Sequence, residues 1–316
     1  TTAPIVSGPA HAPLPTSSIP TTTRSPRSQR SRSDSSDGDL DRRVGRRRET
    51  VSGTPEGYRY PDIMRWDPNL YGKYLDERSR PAHDLIRAIL HHSPAEAVDL
   101  GCGSGHLTAL LADMWPMARV SGIDNSHAML EQARTRTSTV NWIEADIGVW
   151  APTAPPDVIF SNAALHWIDD HSRLFPKLAG WLAPGGVLAV QVPANHDQPT
   201  HQLAYDLAGT RRWATLLSEV RKSPVFTPPQ YGRLLSPLFE HLDIWQTTYL
   251  HILDGDDPVS EWVEGSFLRG LLEPLTPIQK DAFLEEYRPL LRSAYPPEAD
   301  GATFFTFTRT FIVGRA

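Results

Sequence analysis

The stretch EAVDLGCGSG, residues 96–105, limits what this chain can fold into more than any other segment. Ala97, Val98 and Leu100 form a short apolar run that predicts a buried strand. Gly101, Gly103 and Gly105 follow at alternate positions. A chain leaving a strand through a tight turn needs residues that tolerate positive φ and carry no Cβ. Bare backbone also lets a ligand lie directly on the turn. Residues 106–111 then begin a helix, whose N-terminus presents free N–H groups. Strand, glycine turn and helix make the first unit of a nucleotide-type α/β fold. The spacing is not the dinucleotide GxGxxG, because position 106, where the third glycine would stand, is His106.

The pattern is GxGxG preceded by an acid, Asp99, and it resembles motif I of the class I S-adenosylmethionine (SAM) methyltransferases. In that family an acid at the Asp99 position faces the amino group of the methionyl part. Taken alone, the string also fits an ordinary tight βα turn, so the segments that follow decide between the two.

Those segments repeat the unit. The helix over 106–114 ends near Trp115 and Pro116, and ARVSGIDNS predicts a second strand ending in Asp124. An acid at that tip can take both hydroxyls of a ribose, with Asn125 beside it. A helix over 126–134 and a third strand, VNWIEADI, ending at Asp146 come next. The resemblance implies that Asp146 meets the adenine amino group and that the Ile147 N–H meets the ring. DVIFSNAALHWI (157–168) predicts a fourth strand running into a loop, and ligands sit beyond the carboxyl ends of parallel strands. Asn162, His166 and Trp167 are thereby placed near the reacting centre; a structural loop role is the other reading of His166. A helix over 174–182, the turn APGG and a fifth strand, VLAVQVP, follow. Asn195, His196 and His201 come just after that strand and are candidates to line an acceptor pocket. A proline-broken helical stretch leads to about residue 240. Strands are expected at 241–253 and 303–315, with irregular helices over 254–300 between them.

The ends of the chain differ in character. Residues 1–57 carry nine arginines against six acids, a net of +3, which leaves −9 on the rest of the chain's −6 total. This segment is rich in Ser, Thr, Pro and Arg, cannot bury enough apolar surface to offset its ordering entropy, and is expected to be disordered. It has no apolar core of a secretory signal, and its prolines spoil an amphipathic transit helix. Its arginine runs could touch nucleic acid, but the acidic body argues against a nucleic-acid binder. No stretch approaches the ~18 consecutive apolar residues of a membrane span. The single cysteine, Cys102, permits no internal disulfide, and the 12 histidines show no metal-binding spacing, so no metal is expected. Residues 64–80 predict a helix started by Asp67 and Pro68, with Tyr71, Tyr74 and Arg78 on one face. Lying before the first strand, this helix can cover a cofactor mouth with Tyr71, or its tyrosines simply pack it down. Arg78 and Arg80, just before Pro81, suit a polyanionic substrate.

Taken together, WDPNLY, ERSRPA, VDLGCGSGHLTALLA, GIDNSHAML, EADI, FSNAALHWIDDHSRLFP, LAPGGVLAVQVP and FIVGRA resemble the trans-aconitate 2-methyltransferase family from about residue 64 to the C-terminus. Residues 1–63 have no counterpart in the resemblance. It implies a Rossmann-like seven-stranded class I methyltransferase sheet over 58–316, with a helical substrate cap from insertions at about 195–240 and 254–300. The implied cofactor is SAM, and the implied reaction esterifies one carboxylate of trans-aconitate, leaving S-adenosylhomocysteine. Such a reaction requires no general base. A trianion on an acidic domain needs a local positive patch, and arginine suits carboxylates because its planar fork pairs bidentately. Arg78 and Arg80 come first for that patch, then Arg269 and Arg309. A cytoplasmic monomer or weak homo-oligomer is expected. The competing readings are a same-fold enzyme for another small carboxylate or specialised metabolite, and a non-catalytic SAM-binding module that uses its basic tail.

Overall fold

The structure is a computed structural model that describes residues 79–218 and 224–316. All of them belong to the unit Arg65–Ala316. The tail expected over 1–57 and the tyrosine-bearing part of the helix expected over 64–80 lie outside the described residues, as do Tyr71 and Arg78.

Seven strands form one sheet in the order β3-β2-β1-β4-β5-β7-β6. They are β1 (Glu96–Leu100), β2 (Arg119–Asp124), β3 (Asn141–Glu144), β4 (Val158–Asn162), β5 (Val187–Pro193), β6 (His241–Leu253) and β7 (Thr303–Arg315). The first five pair in parallel, and β7 is inserted antiparallel between β5 and β6. The strand order turns back between β1 and β4, the switch point at which an open parallel sheet leaves a crevice beyond its carboxyl ends.

The described helices are α1 (Arg80–Ile89), α2 (His106–Met114), α3 (His127–Arg134), α4 (His171–Ala179), α5 (Pro199–Ala208), α6 (Pro228–Leu235), α7 (Pro258–Glu264), α8 (Phe267–Leu272) and α9 (Pro277–Ala294). Strand alternation distributes the apolar side chains to two sheet faces. Ala97, Phe160, Val187, Ala189 and Phe311 meet Leu85 and Ile89 of α1 and Leu111 of α2 on one face. Leu100, Ile159, Leu188, Val190 and Ile312 meet Phe175 and Leu178 of α4 and Tyr231 and Leu235 of α6 on the other. β5 is therefore buried on both sides, which is why VLAVQVP reads as a nearly unbroken apolar run. A third cluster joins α5, α7, α8 and α9 around Trp213, Phe283 and Tyr287, and takes in Phe305 and Phe307 of β7. Tyr287 of α9 donates to the Thr200 carbonyl of α5 at 2.6 Å, and a Thr276–Gln279 capping box starts α9.

Three expectations change. The third strand stops at Glu144 because the Asp146 carbonyl accepts the Val149 and Trp150 N–H groups and closes a turn. α4 begins at His171 rather than 174, because His171 is a fully buried anchor. It bonds the Tyr231 hydroxyl at 2.6 Å and the Leu165 carbonyl at 3.0 Å. A carbonyl can only accept, so Nε2 carries the proton and Tyr231 donates to Nδ1. Within 195–240, α5 joins the third cluster, whereas α6 packs beside α4 under the sheet. No helix among the described residues is long and apolar enough to cross a membrane.

The His171 anchor generates a test. Tyr231→Phe removes the donation to a buried nitrogen and is expected to lower stability by about 1–3 kcal/mol. The urea midpoint reads it.

Candidate active site

The glycine turn is built by close approach. Gly101, Gly103 and Gly105 all take positive φ, 77°, 54° and 78°. A Cβ on Gly101 would stand 2.1 Å from the Ala164 Cβ, in the loop after β4. A Cβ on Gly105 would stand 2.5 Å from the Trp142 ring and 2.7 Å from the Ala133 Cβ. Gly103 differs: a Cβ there would meet no heavy atom within 4 Å. The outer two glycines admit neighbouring elements of the fold, and the middle one leaves bare backbone facing open space.

The first two acids converge on this turn. Asp99 is buried and accepts the Thr108 hydroxyl of α2 at 2.6 Å. Burial pushes its carboxyl up to about 7; the Thr108 bond opposes the rise and the charge of Asp124 adds to it. Asp124 bridges two elements, accepting the Gly103 N–H and the Ser126 N–H at 2.9 Å each. That staple was not visible in the sequence. Each of its oxygens keeps a lone pair for a ligand hydroxyl. Asn125 is exposed beside it. Asp146 is exposed and accepts the Gly148 N–H at 2.7 Å, closing its own turn. The buried Ile147 reaches the glycine turn, its Cδ1 lying 3.6 Å from where a Gly101 Cβ would be. Burial also pushes up the pKa of the Cys102 thiol, aided by the charges of Asp99 and Asp124, so this cysteine packs as a neutral filler.

On the β4 side, Asn162 ends the strand with its Oδ1 buried and without a hydrogen-bond partner. Ala163 follows at φ 52°, a left-handed conformation that costs a non-glycine residue about 1–2 kcal/mol. The strain turns the chain so that Ala164 lies on Gly101. His166 sits in a short 3₁₀ turn, Leu165–Trp167, with its ring 4.7 Å from that of Trp167. Trp167 in turn reaches α8, 3.5 Å from where a Gly270 Cβ would be. Arg269 lies in α8 and its side chain is outside the described set.

Two of the expected arginines come to one place. Arg309 of β7 lies opposite Thr247, two residues from Tyr249 along the same face of β6. The Arg80 guanidinium sits 5.4 Å from the Tyr249 ring centroid, and the Tyr249 hydroxyl donates to Asp84 of α1 at 2.7 Å, which fixes α1 over this spot. Arg309 is partly buried; burial lowers its pKa to about 10 while Tyr249 raises it. Its guanidinium lies 4.4 Å from the Phe307 ring centroid, and its Nε has no hydrogen-bond partner. Among the described residues it has no carboxylate partner.

Two candidates belong to the fold instead. Both ends of the Asn195 carboxamide are taken by Thr308, whose N–H donates to Oδ1 at 2.7 Å and whose carbonyl accepts Nδ2 at 3.1 Å. Asn195 thus fixes the β5–β7 edge and does not line an acceptor pocket. His201 stacks on Phe267 at 3.9 Å, and burial lowers its pKa to about 4, so it is a neutral packing residue. His196 is half-buried, and its carbonyl accepts Gln202.

Comparison with known proteins places this geometry. A family model described as "Methyltransferase domain" matches residues 97–186, from β1 to the start of β5. A trans-aconitate 2-methyltransferase of Acidovorax ebreus (strain TPSY) is 43% identical over 252 residues, covering 79% of this chain and 98% of the relative. The chain belongs to the trans-aconitate 2-methyltransferase family. The relative of that name from Streptomyces coelicolor is 45% identical over 262 residues, 79% of this chain and 86% of the relative. A solved structure of a candidate methyltransferase from Bacillus halodurans C-125 shares the fold at 13% identity and TM-score 0.50, over 74% of this chain and 97% of that one. As in the sequence reading, this member of the trans-aconitate 2-methyltransferase family carries the class I seven-stranded sheet.

The two kinds of glycine separate experimentally. Gly105→Ala combines left-handed strain with overpacking and is expected to destabilise by about 2–5 kcal/mol. Gly103→Ala carries only the strain, about 1–2 kcal/mol, and should stay folded. Calorimetric unfolding of the two variants checks the difference.

Proposed function

We propose that this chain transfers the methyl group of SAM to one carboxylate of trans-aconitate, forming a monomethyl ester and S-adenosylhomocysteine. The observation that carries the acceptor side is Arg309, a partly buried cation with a buried, unpartnered Nε and no acid beside it among the described residues, at the carboxyl edge of the sheet. A buried charge without a partner is costly, and an anionic ligand removes that cost. Arg80 adds a second, exposed cation nearby, and Arg78, Arg269, His166 and His196 are assigned to the same acceptor side.

The residues fit the cofactor. Asp99 is assigned to the methionyl ammonium, Gly101, Gly103 and Gly105 to the backbone cradle, and Asp124 with Asn125 to the ribose. Asp146 and the Ile147 N–H are assigned to the adenine, with Asn162 and Tyr71 at the mouth. The open side of Gly103 and the free lone pairs of Asp124 support these assignments. When bound, SAM supplies an electrophilic methyl on a sulfonium. The chain has little else to provide beyond geometry. A carboxylate is already ionised and nucleophilic at neutral pH, so no general base is required. Bringing oxygen and methyl into line is worth about 7–11 kcal/mol, and excluding water strengthens the remaining electrostatics. The enzyme is read as cytoplasmic, a monomer or weak homo-oligomer, with neither nucleic acid nor membrane as partner; its acidic body supports the first exclusion.

Incubation with isotopically labelled SAM and a panel of carboxylic acids tests the reading. Label should enter trans-aconitate as a base-labile ester; transfer only to other acids would overturn the substrate assignment. Arg309→Met is expected to raise the KM for trans-aconitate about 10- to 100-fold while leaving SAM affinity unchanged.

Asp99 gives a pH signature. Its folded pKa is raised above the unfolded value, so its contribution favours the folded state fully below about pH 4 and is lost as pH rises through about 7. A methionyl ammonium pairs with the ionised form. SAM binding at pH 6 should therefore release close to one proton, and at pH 8 almost none. Calorimetry in buffers of different ionisation enthalpy measures this, and Asp99→Asn should abolish the release.

A further inference from the structure

Gln191 is the single polar side chain of β5, in the run VLAVQVP. It is fully buried, yet neither the oxygen nor the nitrogen of its carboxamide has a hydrogen-bond partner among the described residues. Such an amide is destabilising unless something completes it, and an apolar side chain of the same shape would pack there at lower free energy. Its position shows what completes it. Gln191 pairs in register with Asn162 of β4, and Arg309 faces Pro193, two residues further along β5. Alternation puts Asn162, Gln191 and Arg309 on one face, the face that carries Phe160, Ala189 and Phe311. Three strands, β4, β5 and β7, thus bring a row of buried polar atoms without partners among the described residues to the carboxyl edge of the sheet. Asn162 stands at the glycine-turn end of the row, next to the loop that touches Gly101; Arg309 stands at the far end, and Gln191 between them.

We propose that Gln191 holds the carboxylate that becomes methylated, while Arg309 holds a carboxylate that stays charged. The proposal rests on the carboxylate-methylating reading above. The step forms an O–CH3 bond and breaks the S–CH3 bond, whose electron pair leaves on sulfur. The charge of the carboxylate and that of the sulfonium cancel, and no proton moves. A guanidinium on the reacting carboxylate would lower its nucleophilicity and would be left without its counter-charge once the neutral ester formed. A neutral amide avoids both penalties. Its N–H groups donate to one oxygen and leave the other free to face the methyl.

The test uses the full chain. Gln191→Met keeps the shape and removes the donor. Its kcat for trans-aconitate should fall about 10- to 100-fold, with SAM affinity within about twofold and an unfolding midpoint unchanged or raised. Arg309→Met should instead act mainly on KM. Gln191→Glu places a charge against the substrate, and its turnover should recover as pH falls and the new carboxyl regains an O–H donor. An unchanged kcat in Gln191→Met overturns the proposal and leaves the amide satisfied by water. So does a loss of activity that tracks a lowered midpoint or lost SAM affinity, which marks a packing role. Wild-type protein is assayed alongside on a panel of acids. If it esterifies none, the functional reading and this proposal fall together. If it prefers another acid, the substrate assignment alone fails and the same variants are read on that acid.

Discussion

The approach of the β4 loop to the first glycine turn is the contact on which the rest of the structure depends. Gly101 lies so close to Ala164 that no Cβ fits between them. The loop is pressed there by Ala163 in a left-handed conformation, and that strain must be held by something else. The buried His171 holds it, tying the Leu165 carbonyl in the loop to Tyr231 of α6 on the far side of the sheet. On the other flank, Asp124 ties the middle of the turn to the start of α3. The crevice is thus set by the packing of the glycine turn on the β4 loop and by two side chains, His171 and Asp124, that hold backbone groups on either flank.

The charges around the crevice follow two different rules. Arg292 makes a two-point pair with Asp257, and Arg288 meets Glu264, so these two cations of the helical cluster are paired with acids within the protein. Arg309, partly buried with its Nε out of reach of solvent, has no such acid among the described residues. Asp99 is the mirror case, a buried carboxyl that feels the like charge of another acid, Asp124. A cation-seeking group and an anion-seeking group are thereby held on the same face of one sheet. That arrangement suits a reaction between a cationic donor and an anionic acceptor.

Much of this was legible in the sequence. Strands β5, β6 and β7 begin and end where their residue patterns put them, β5 as an apolar run bounded by turn-forming residues and β6 and β7 by their alternation. The glycine turn was legible as well, since its positive φ angles are a local requirement. The third strand was read too long because its alternation continues through Ala145 and Asp146, and only the backbone turn at 146–150 stops it. Asn195 was misread because a polar residue after a strand looks the same whether it faces a ligand or the neighbouring strand; Thr308, which decides the matter, is 113 residues away. Gln191 was passed over although one polar letter in an apolar run was the available signal. What marks it is the lack of any partner, a property of the assembled sheet and not of the segment.

The length of β7 carries a last consequence. Over residues 309–315 it pairs with both neighbours, but over 303–308 it pairs with β6 alone, and there Phe305 and Phe307 enter the helical cluster. One continuous strand therefore serves two cores. Helices grafted from a relative to alter acceptor choice would arrive without the aromatic rail they rest on. The transplantable piece is the helices together with the overhanging end of that two-stranded ribbon.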